Sequence, residues 1–230
     1  MAKYKNYTMK KFISISLKVL LVATLLTMYT GCKKDNDQDN STFSPGELAG
    51  YQWLLFINNG TGTEMRLVHF TQSGNDVTAT IESVTLKKSQ SLSLRNDGFS
   101  IDEKGDGISV FHFKLKKDAN GEPVINMVEY KDRQNPAKTI QSVHYITKSS
   151  EIIPFQNNSY EGPGFLQFNA GTWRYYAVPN AMGNYTEIAP GAWKGTLNGA
   201  QYMGVSAKIN NRWRMFLQKA GEPSMMFSVI

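Results

Sequence analysis

The chain has 230 residues, of which 25 are Lys or Arg and 19 are Asp or Glu, giving a formal net charge of +6. Five of the lysines lie among residues 1–31, which hold no acidic residue, so the rest of the chain carries a net charge of +1. A balanced body of this kind does not favour nucleic acid as a partner. The single cysteine, Cys32, excludes an intramolecular disulfide and zinc motifs built from several cysteines.

Residues 9–32 read "MKKFISISLKVLLVATLLTMYTGC". Two lysines come first, an apolar stretch from Val19 to Met28 follows, and the small residue Gly31 precedes Cys32. The apolar region of about ten residues is shorter than the roughly 20 that a spanning helix needs. We therefore predict a secretory signal peptide over residues 1–31. If the cysteine is not lipidated, the alternatives are an ordinary cleaved signal with an incidental cysteine and an uncleaved membrane anchor.

The "MYTGC" stretch at residues 28–32 resembles a bacterial lipobox, with Tyr29 standing where an aliphatic residue is usual. The resemblance implies that Cys32 becomes the mature N-terminus and is acylated on its sulfur and amine. Two or three acyl chains would hold the protein stably on a membrane, since each buried CH₂ contributes about 0.8 kcal/mol.

The polar segment after the cysteine, "KKDNDQDNSTFSPGE", lacks the apolar residues needed to order itself. Residues 32–46 are thus predicted to be the lipidated cysteine and a flexible stalk. Lysines and acids in this place resemble those of Bacteroidetes outer-membrane lipoproteins. That resemblance implies a lipid anchor in the outer membrane, at the cell surface or on the periplasmic face.

Beyond Pro45, short runs rich in Val, Ile, Thr and aromatic residues alternate with Gly- and Asn-containing turns, a pattern typical of all-β proteins. We predict an antiparallel meander that forms a barrel or a sandwich. The predicted strands are 51–57, 64–71, 76–85, 92–94, 99–101, 108–117, 124–130, 139–147, 165–169, 172–178, 192–197, 201–209, 212–219 and 225–229. Asn198-Gly199 is the strongest hairpin signal.

The segment 151–164, with its prolines and glycines, is the predicted linker. It would separate a β-meander domain at 47–150 from a C-terminal β-hairpin region at 165–230, and whether the latter is a second small domain stays open. The stretch Gly50-Tyr51-Gln52-Trp53 resembles the start of a lipocalin-type barrel, although those families place one residue between the Gly and the Trp. A sandwich spanning both halves is the alternative.

Motifs for catalysis and cofactors are missing from the sequence. There is no Gly-x-Ser-x-Gly turn and no phosphate-binding glycine loop. The three histidines, His69, His112 and His144, stand far apart in predicted strands, which does not favour a metal site. The acids that a glycosidase could use lie mostly in turns, where solvated side chains are the simpler interpretation: Asp102, Glu103, Asp106, Glu161 and Glu187. We expect no catalytic residues, no metal and no cofactor.

Aromatic residues are concentrated after residue 160 and stand among glycines and asparagines, as in "GTWRYY" and "GAWKG". Exposed Trp and Tyr side chains stack on sugar rings in glycan-binding surfaces, whereas buried ones fill the core of a β domain. The ligand-binding candidates are Trp173, Tyr175, Tyr185 and Trp193. Core packing is the competing interpretation.

The leading hypothesis is a membrane-anchored, non-catalytic lipoprotein whose β body binds an extracellular or periplasmic ligand, with a glycan or a small amphipathic molecule as the candidates. The alternative is a structural or assembly lipoprotein that docks an envelope protein. A hydrolase of glycan or envelope substrates is the third hypothesis.

Overall fold

The structure is a computed structural model that describes residues 42–146, 155, 158–178 and 181–230. Ser41–Ile230 form one compact unit. The signal peptide, Cys32 and the stalk up to residue 41 lie outside the described residues, as do residues 147–154, 156 and 157 of the linker region. The described residues contain no α-helix and hence none that could cross a membrane.

The first half of the body is a meander of eight antiparallel strands that follows a single 3₁₀ turn at Pro45–Leu48. The strands are β1 (Gln52–Asn58), β2 (Thr63–Ser73), β3 (Asp76–Glu82), β4 (Lys87–Ser91), β5 (Gly98–Asp102), β6 (Ser109–Lys117), β7 (Pro123–Asp132) and β8 (Thr139–Ile146). They form a five-stranded sheet in the order β4-β3-β2-β1-β8 and a three-stranded sheet in the order β5-β6-β7. Because β8 pairs with β1, the meander returns to its start.

Side chains from both sheets of the meander form one apolar core. Trp53 on β1, Phe70 on β2 and Phe99 on β5 belong to it, and the rings of Trp53 and Phe70 meet edge to face at 4.8 Å between centroids. The other face of β1 is buried as well, since Leu54 and Phe56 pack toward the second half of the chain. Burial on both faces explains why "WLLFI" is continuously apolar rather than alternating.

The second half is a closed barrel of eight antiparallel strands in which β9 pairs with both β10 and β16. The strands are β9 (Ser159–Glu161), β10 (Phe165–Asn169), β11 (Thr172–Tyr175), β12 (Met182–Ala189), β13 (Ala192–Leu197), β14 (Ala200–Ile209), β15 (Arg212–Lys219) and β16 (Met225–Val229). Asn198 and Gly199, which join β13 to β14, both have positive φ, as a type I′ turn requires. The barrel interior is filled with apolar side chains, most of them aromatic.

A third apolar cluster joins the outer wall of the barrel to the five-stranded sheet. It contains Phe56 and Met65 from the meander together with Met203, Val205 and Phe216 from the barrel. The rings of Phe56 and Phe216 meet edge to face at 5.0 Å. The five-stranded sheet is therefore covered on one face by the three-stranded sheet and on the other by the barrel.

The predicted all-β antiparallel fold is confirmed, with a closed barrel in the second half. Three strands were not predicted, namely β4, β9 and β12, and residues 92–94, predicted as a strand, have no regular structure. The strand β9 lies inside the segment predicted to be a linker, where it closes the barrel.

Candidate functional site

The four aromatic residues proposed from sequence lie on the barrel strands with their rings in its core. Trp173 and Trp193 are 0% exposed, and their ring centroids are 4.8 Å apart. Tyr175 is buried against Phe227, and Tyr185 is half-buried beside Phe155 and Phe168. The expected exposed stacking face is therefore wrong for Trp173, Tyr175 and Trp193, because residues that alternate along a strand point to opposite faces and these point inward.

The outward positions of the same strands carry a row of uncharged polar side chains. Asn184 on β12 stands opposite Thr196 on β13, and Thr196 stands opposite Gln201 on β14. On the other side, Asn184 stands opposite Thr172 on β11. We call Asn184, Thr196 and Gln201 the polar row. All three are exposed, and none makes a side-chain hydrogen bond to another described residue.

The polar row lines a cleft of about 330 Å³ on the barrel wall. Val84, in the turn after β3, contributes to the cleft from the five-stranded sheet, so the cleft lies at the junction between sheet and barrel. Its volume falls at the lower end of the roughly 300–1,000 Å³ typical of ligand pockets. The lining residues are Val84, Asn184, Tyr185, Thr186, Lys194, Gly195, Thr196, Gln201 and Tyr202. Tyr185 is thus the one sequence-predicted binding residue that reaches this cleft.

An ion pair between a lysine that lines the cleft and a buried carboxylate lies at the edge of the cleft. Lys194 Nζ is 2.8 Å from Glu82 Oε2 and donates a hydrogen bond to the carbonyl oxygen of Leu86 at 3.0 Å. Burial alone would raise the pKa of Glu82, but hydrogen bonds from His69 and Lys194 and the nearby charge of Lys87 lower it to about 2. The pair ties β13 of the barrel to β3 and to the turn that borders the cleft.

A second cleft, of about 190 Å³, lies at the same junction but already has its polar groups paired. Within it, Arg66 binds Glu64 at 3.0 Å and also pairs with Glu103, and Asn59 Nδ2 donates to Glu64 Oε1 at 2.8 Å. Although burial opposes it, the two carboxylates raise the pKa of Arg66. Buried polar groups that satisfy one another stabilise the junction and leave little for a ligand to bind.

The candidate acids have structural roles or stand alone. Burial alone would raise the pKa of Asp102, but hydrogen bonds donated by backbone N–H groups, among them those of Gly107 and Gly105, together lower it. Glu103 was expected to be a solvated turn acid, but it is 3% exposed because it pairs with Arg66. Asp106 accepts a hydrogen bond from the backbone N–H of Ile108, and Glu187 accepts one from the backbone N–H of Gly191. Glu161 is exposed.

The three histidines have different surroundings, with His69 beside Glu82, His112 beside Ser100 and His144 between Phe56 and Phe216. Burial lowers the pKa of His144. No group of three or more His, Cys, Asp or Glu side chains within the described ranges is arranged to hold a metal ion.

A separate patch of exposed apolar residues lies on the outer wall at β10–β12. Tyr176 is 51% exposed, meets Phe165 edge to face at 5.2 Å, and donates a hydrogen bond to Gln167. Met182 is exposed nearby on β12. We call Phe165, Tyr176 and Met182 the aromatic patch.

The polar row was not predicted from the sequence. Asn184 lies on β12, which was not recognised as a strand, whereas Thr196 and Gln201 lie on predicted strands. The signal was present in "AWKGTL", where Trp193, Gly195 and Leu197 alternate with Lys194 and Thr196. A period of two places these two sets on opposite faces, so the buried tryptophan already indicated an outward Thr196.

Comparison of the chain with protein-family models, with curated proteins and with solved structures found no match.

Proposed function

We propose that this chain is a lipid-anchored lipoprotein of the outer membrane whose barrel binds a glycan in the cleft lined by the polar row. The anchor rests on the lipobox resemblance at Cys32, which is independent of the fold. The binding function rests on the cleft. Among the described residues, no arrangement of acids or histidines supports a hydrolase better than the cleft supports ligand binding.

The binding function is proposed from one observation, namely that the side chains of the polar row are exposed and, within the described part of the chain, unpaired. Asn184, Thr196 and Gln201 lie side by side on three neighbouring strands, exposed and without hydrogen-bond partners among the described residues. Amide and hydroxyl groups each offer donors and acceptors. Sugar hydroxyls offer the same combination, so such a row complements a polyhydroxylated ligand. Adjacent strands are about 4.8 Å apart, which lets one sugar ring reach two side chains.

Glycan-array binding tests the cleft. Replacing Asn184, Thr196 or Gln201 by Ala removes hydrogen bonds that contribute about 0.5–1.5 kcal/mol each. We expect each single variant to bind a positive glycan about 2- to 12-fold more weakly, and the triple variant to lose detectable binding. Asn126→Ala is the matched control, since Asn126 is also an exposed strand asparagine but lies on β7. Absence of binding by the wild-type protein, or equal binding by the triple variant, would contradict the proposal.

Replacement of Cys32 by Ser tests the anchor. The serine hydroxyl cannot form the thioether to the lipid, so the variant should not incorporate labelled fatty acid and should leave the membrane fraction. Asn40→Ser, outside the lipobox, should behave as wild type. Protease treatment of intact cells then distinguishes the cell surface from the periplasmic face. Membrane retention of the Cys32→Ser variant would point to an uncleaved anchor.

A second candidate function is docking of an envelope protein through the aromatic patch. Tyr176 and Met182 are each about half exposed, and Tyr176 is held in place by Phe165 and Gln167. Exposed Tyr and Met side chains are enriched in protein interfaces. Crosslinking in intact cells through a photoreactive residue at 176 should then give a discrete adduct that the same residue at Asn126 does not give. Recovery of the monomer alone from both positions would contradict docking.

A further inference from the structure

The charge inside the cleft is already balanced by the protein. Among the described residues that line it, Lys194 is the only charged one. Its ammonium group is 2.8 Å from the carboxylate of Glu82, a side chain that is 1% exposed. Glu82 lies within 3.4 Å of Lys87 Nζ as well, but that lysine side chain is 60% exposed and largely hydrated. The cation at the cleft therefore has a fixed, desolvated counter-charge behind it.

The same contacts leave Lys194 a hydrogen-bond donor for a ligand. An ammonium group has three N–H bonds. The group lies 2.8 Å from Glu82 Oε2 in an ion pair, and one N–H is donated to the carbonyl oxygen of Leu86 at 3.0 Å. These two partners hold the side chain in place, so a remaining donor does not have to be ordered when a ligand arrives.

We propose that the cleft selects an uncharged saccharide, and that Lys194 donates its remaining N–H to a hydroxyl or ring oxygen of that sugar. This inference rests on the glycan-binding function proposed above. An anionic sugar would bring a second carboxylate or a sulfate toward the buried carboxylate of Glu82, and like charges repel each other. A cationic sugar would meet the ammonium group of Lys194. Both signs of charge are therefore disfavoured, and the neutral polar row provides the remaining contacts.

Matched sets of oligosaccharides test this selectivity. Each set would contain a neutral tetrasaccharide, its C6-carboxylate form and its free-amine form, in gluco, galacto and manno series. We expect at least one neutral member to bind about tenfold or more tightly than its charged counterparts. Its affinity should change less than about twofold between 50 and 500 mM NaCl, because an uncharged sugar forms no ion pair that salt could screen. Preference for a charged member, or affinity that falls steeply with salt, would overturn the inference and leave glycan binding intact. No binding by any member would overturn both.

Variants of the ion pair separate a role in selectivity from a role in stability. Glu82→Gln keeps the shape of the side chain but leaves the charge of Lys194 unbalanced, so the carboxylate form should gain affinity relative to the neutral sugar. The double variant Glu82→Gln/Lys194→Met removes both charges and should bind the neutral sugar about tenfold more weakly, which corresponds to about 1.4 kcal/mol. Lys208→Met, an exposed lysine on β14 of the same barrel, is the control. An unchanged preference in folded Glu82→Gln would contradict the proposal.

Discussion

At the scale of single residues, three glycines make room for the two buried indoles of the barrel. A Cβ atom at Gly204 would stand 2.2 Å from Cε2 of Trp193, and one at Gly183 would stand 2.6 Å from Nε1 of Trp173. At Gly195 the added atom would lie 3.1 Å from the same Nε1. Small residues opposite large ones are how a narrow closed barrel fills its interior. These strand glycines therefore serve packing rather than backbone flexibility.

Gly204→Ala should destabilise the barrel without changing its hydrogen bonds. The added methyl group cannot fit beside Trp193 unless the ring or the strand moves, and such overpacking costs about 1–3 kcal/mol. Urea unfolding should show a lower midpoint with an unchanged slope. Gly46→Ala is the control, because its nearest contact would be at 3.9 Å and its stability should change by less than about 0.5 kcal/mol. Equal stability of the two variants would contradict this packing role.

Glu82 should make the protein acid-sensitive in a defined window. Its pKa is about 2 in the folded protein against an ordinary value of 4.5, so the folded state prefers the ionised form. The stabilisation is complete above pH 4.5 and is lost as the pH falls from there toward 2, for a total on the order of 3 kcal/mol. Unfolding free energies at pH 7, 4.5 and 3 should show this loss. In Glu82→Gln the unfolding free energy should depend less steeply on pH over that window. An unchanged pH dependence would exclude this carboxyl as the cause.

At the scale of elements, strands were predicted correctly where apolar residues recur. They were missed where the residue types are unusual for strands and packing or pairing in the fold requires them. The strand β12, "MGNYTEIA", contains Gly183 and Asn184, residue types that are depleted in strands. Tertiary packing overrides that preference, since Gly183 is required beside Trp173. The edge strand β4, "KKSQS", is polar because edge strands carry lysines that discourage pairing with other chains.

The same reasoning explains the outcome at the candidate site. Aromatic residues identified the right strands, but whether Trp173 faces in or out depends on which face the closed barrel encloses. That choice depends on pairing between β9 and β16. The first of these strands ends at Glu161 and the second begins at Met225, 64 positions later, so no local pattern encodes their pairing. The ion pair between Glu82 and Lys194 is equally non-local, because it joins the two halves of the chain.

Gln218 connects two elements across the junction, and its replacement by Ala should loosen that contact. Its Oε1 accepts a hydrogen bond from the backbone N–H of Met65 on β2 at 2.8 Å, and its Nε2 donates to the carbonyl oxygen of Glu222. Gln218→Ala leaves a buried N–H unpaired, which costs about 1–3 kcal/mol. Hydrogen exchange of the Met65 amide should accelerate. Gln72→Ala, at the exposed end of β2, is the control, and equal exchange rates in both variants would contradict the role of Gln218.

At the scale of the whole molecule, the meander and the barrel share a core instead of standing as separate bodies. The cluster that joins them buries Leu54, Phe56 and Met65 of one half against Met203 and Phe216 of the other. Polar contacts add to it, among them the hydrogen bond from Gln52 Nε2 to the carbonyl oxygen of Pro190 at 3.1 Å. The cleft lies along this junction, so its shape depends on the two halves remaining together.

The shared core predicts that Ser41–Ile230 unfolds in one cooperative transition. In a Trp53→Phe variant the remaining tryptophans, Trp173, Trp193 and Trp213, all lie in the barrel, so their emission reports the barrel while far-UV circular dichroism reports both halves. The two urea midpoints should coincide, as two-state unfolding requires. Phe216→Ala in the same background removes the ring that meets Phe56 and should lower both midpoints together, for a cost of about 3–5 kcal/mol. Separate midpoints before that substitution would mean that each half is stable alone, and that the cleft between them can open without unfolding either one.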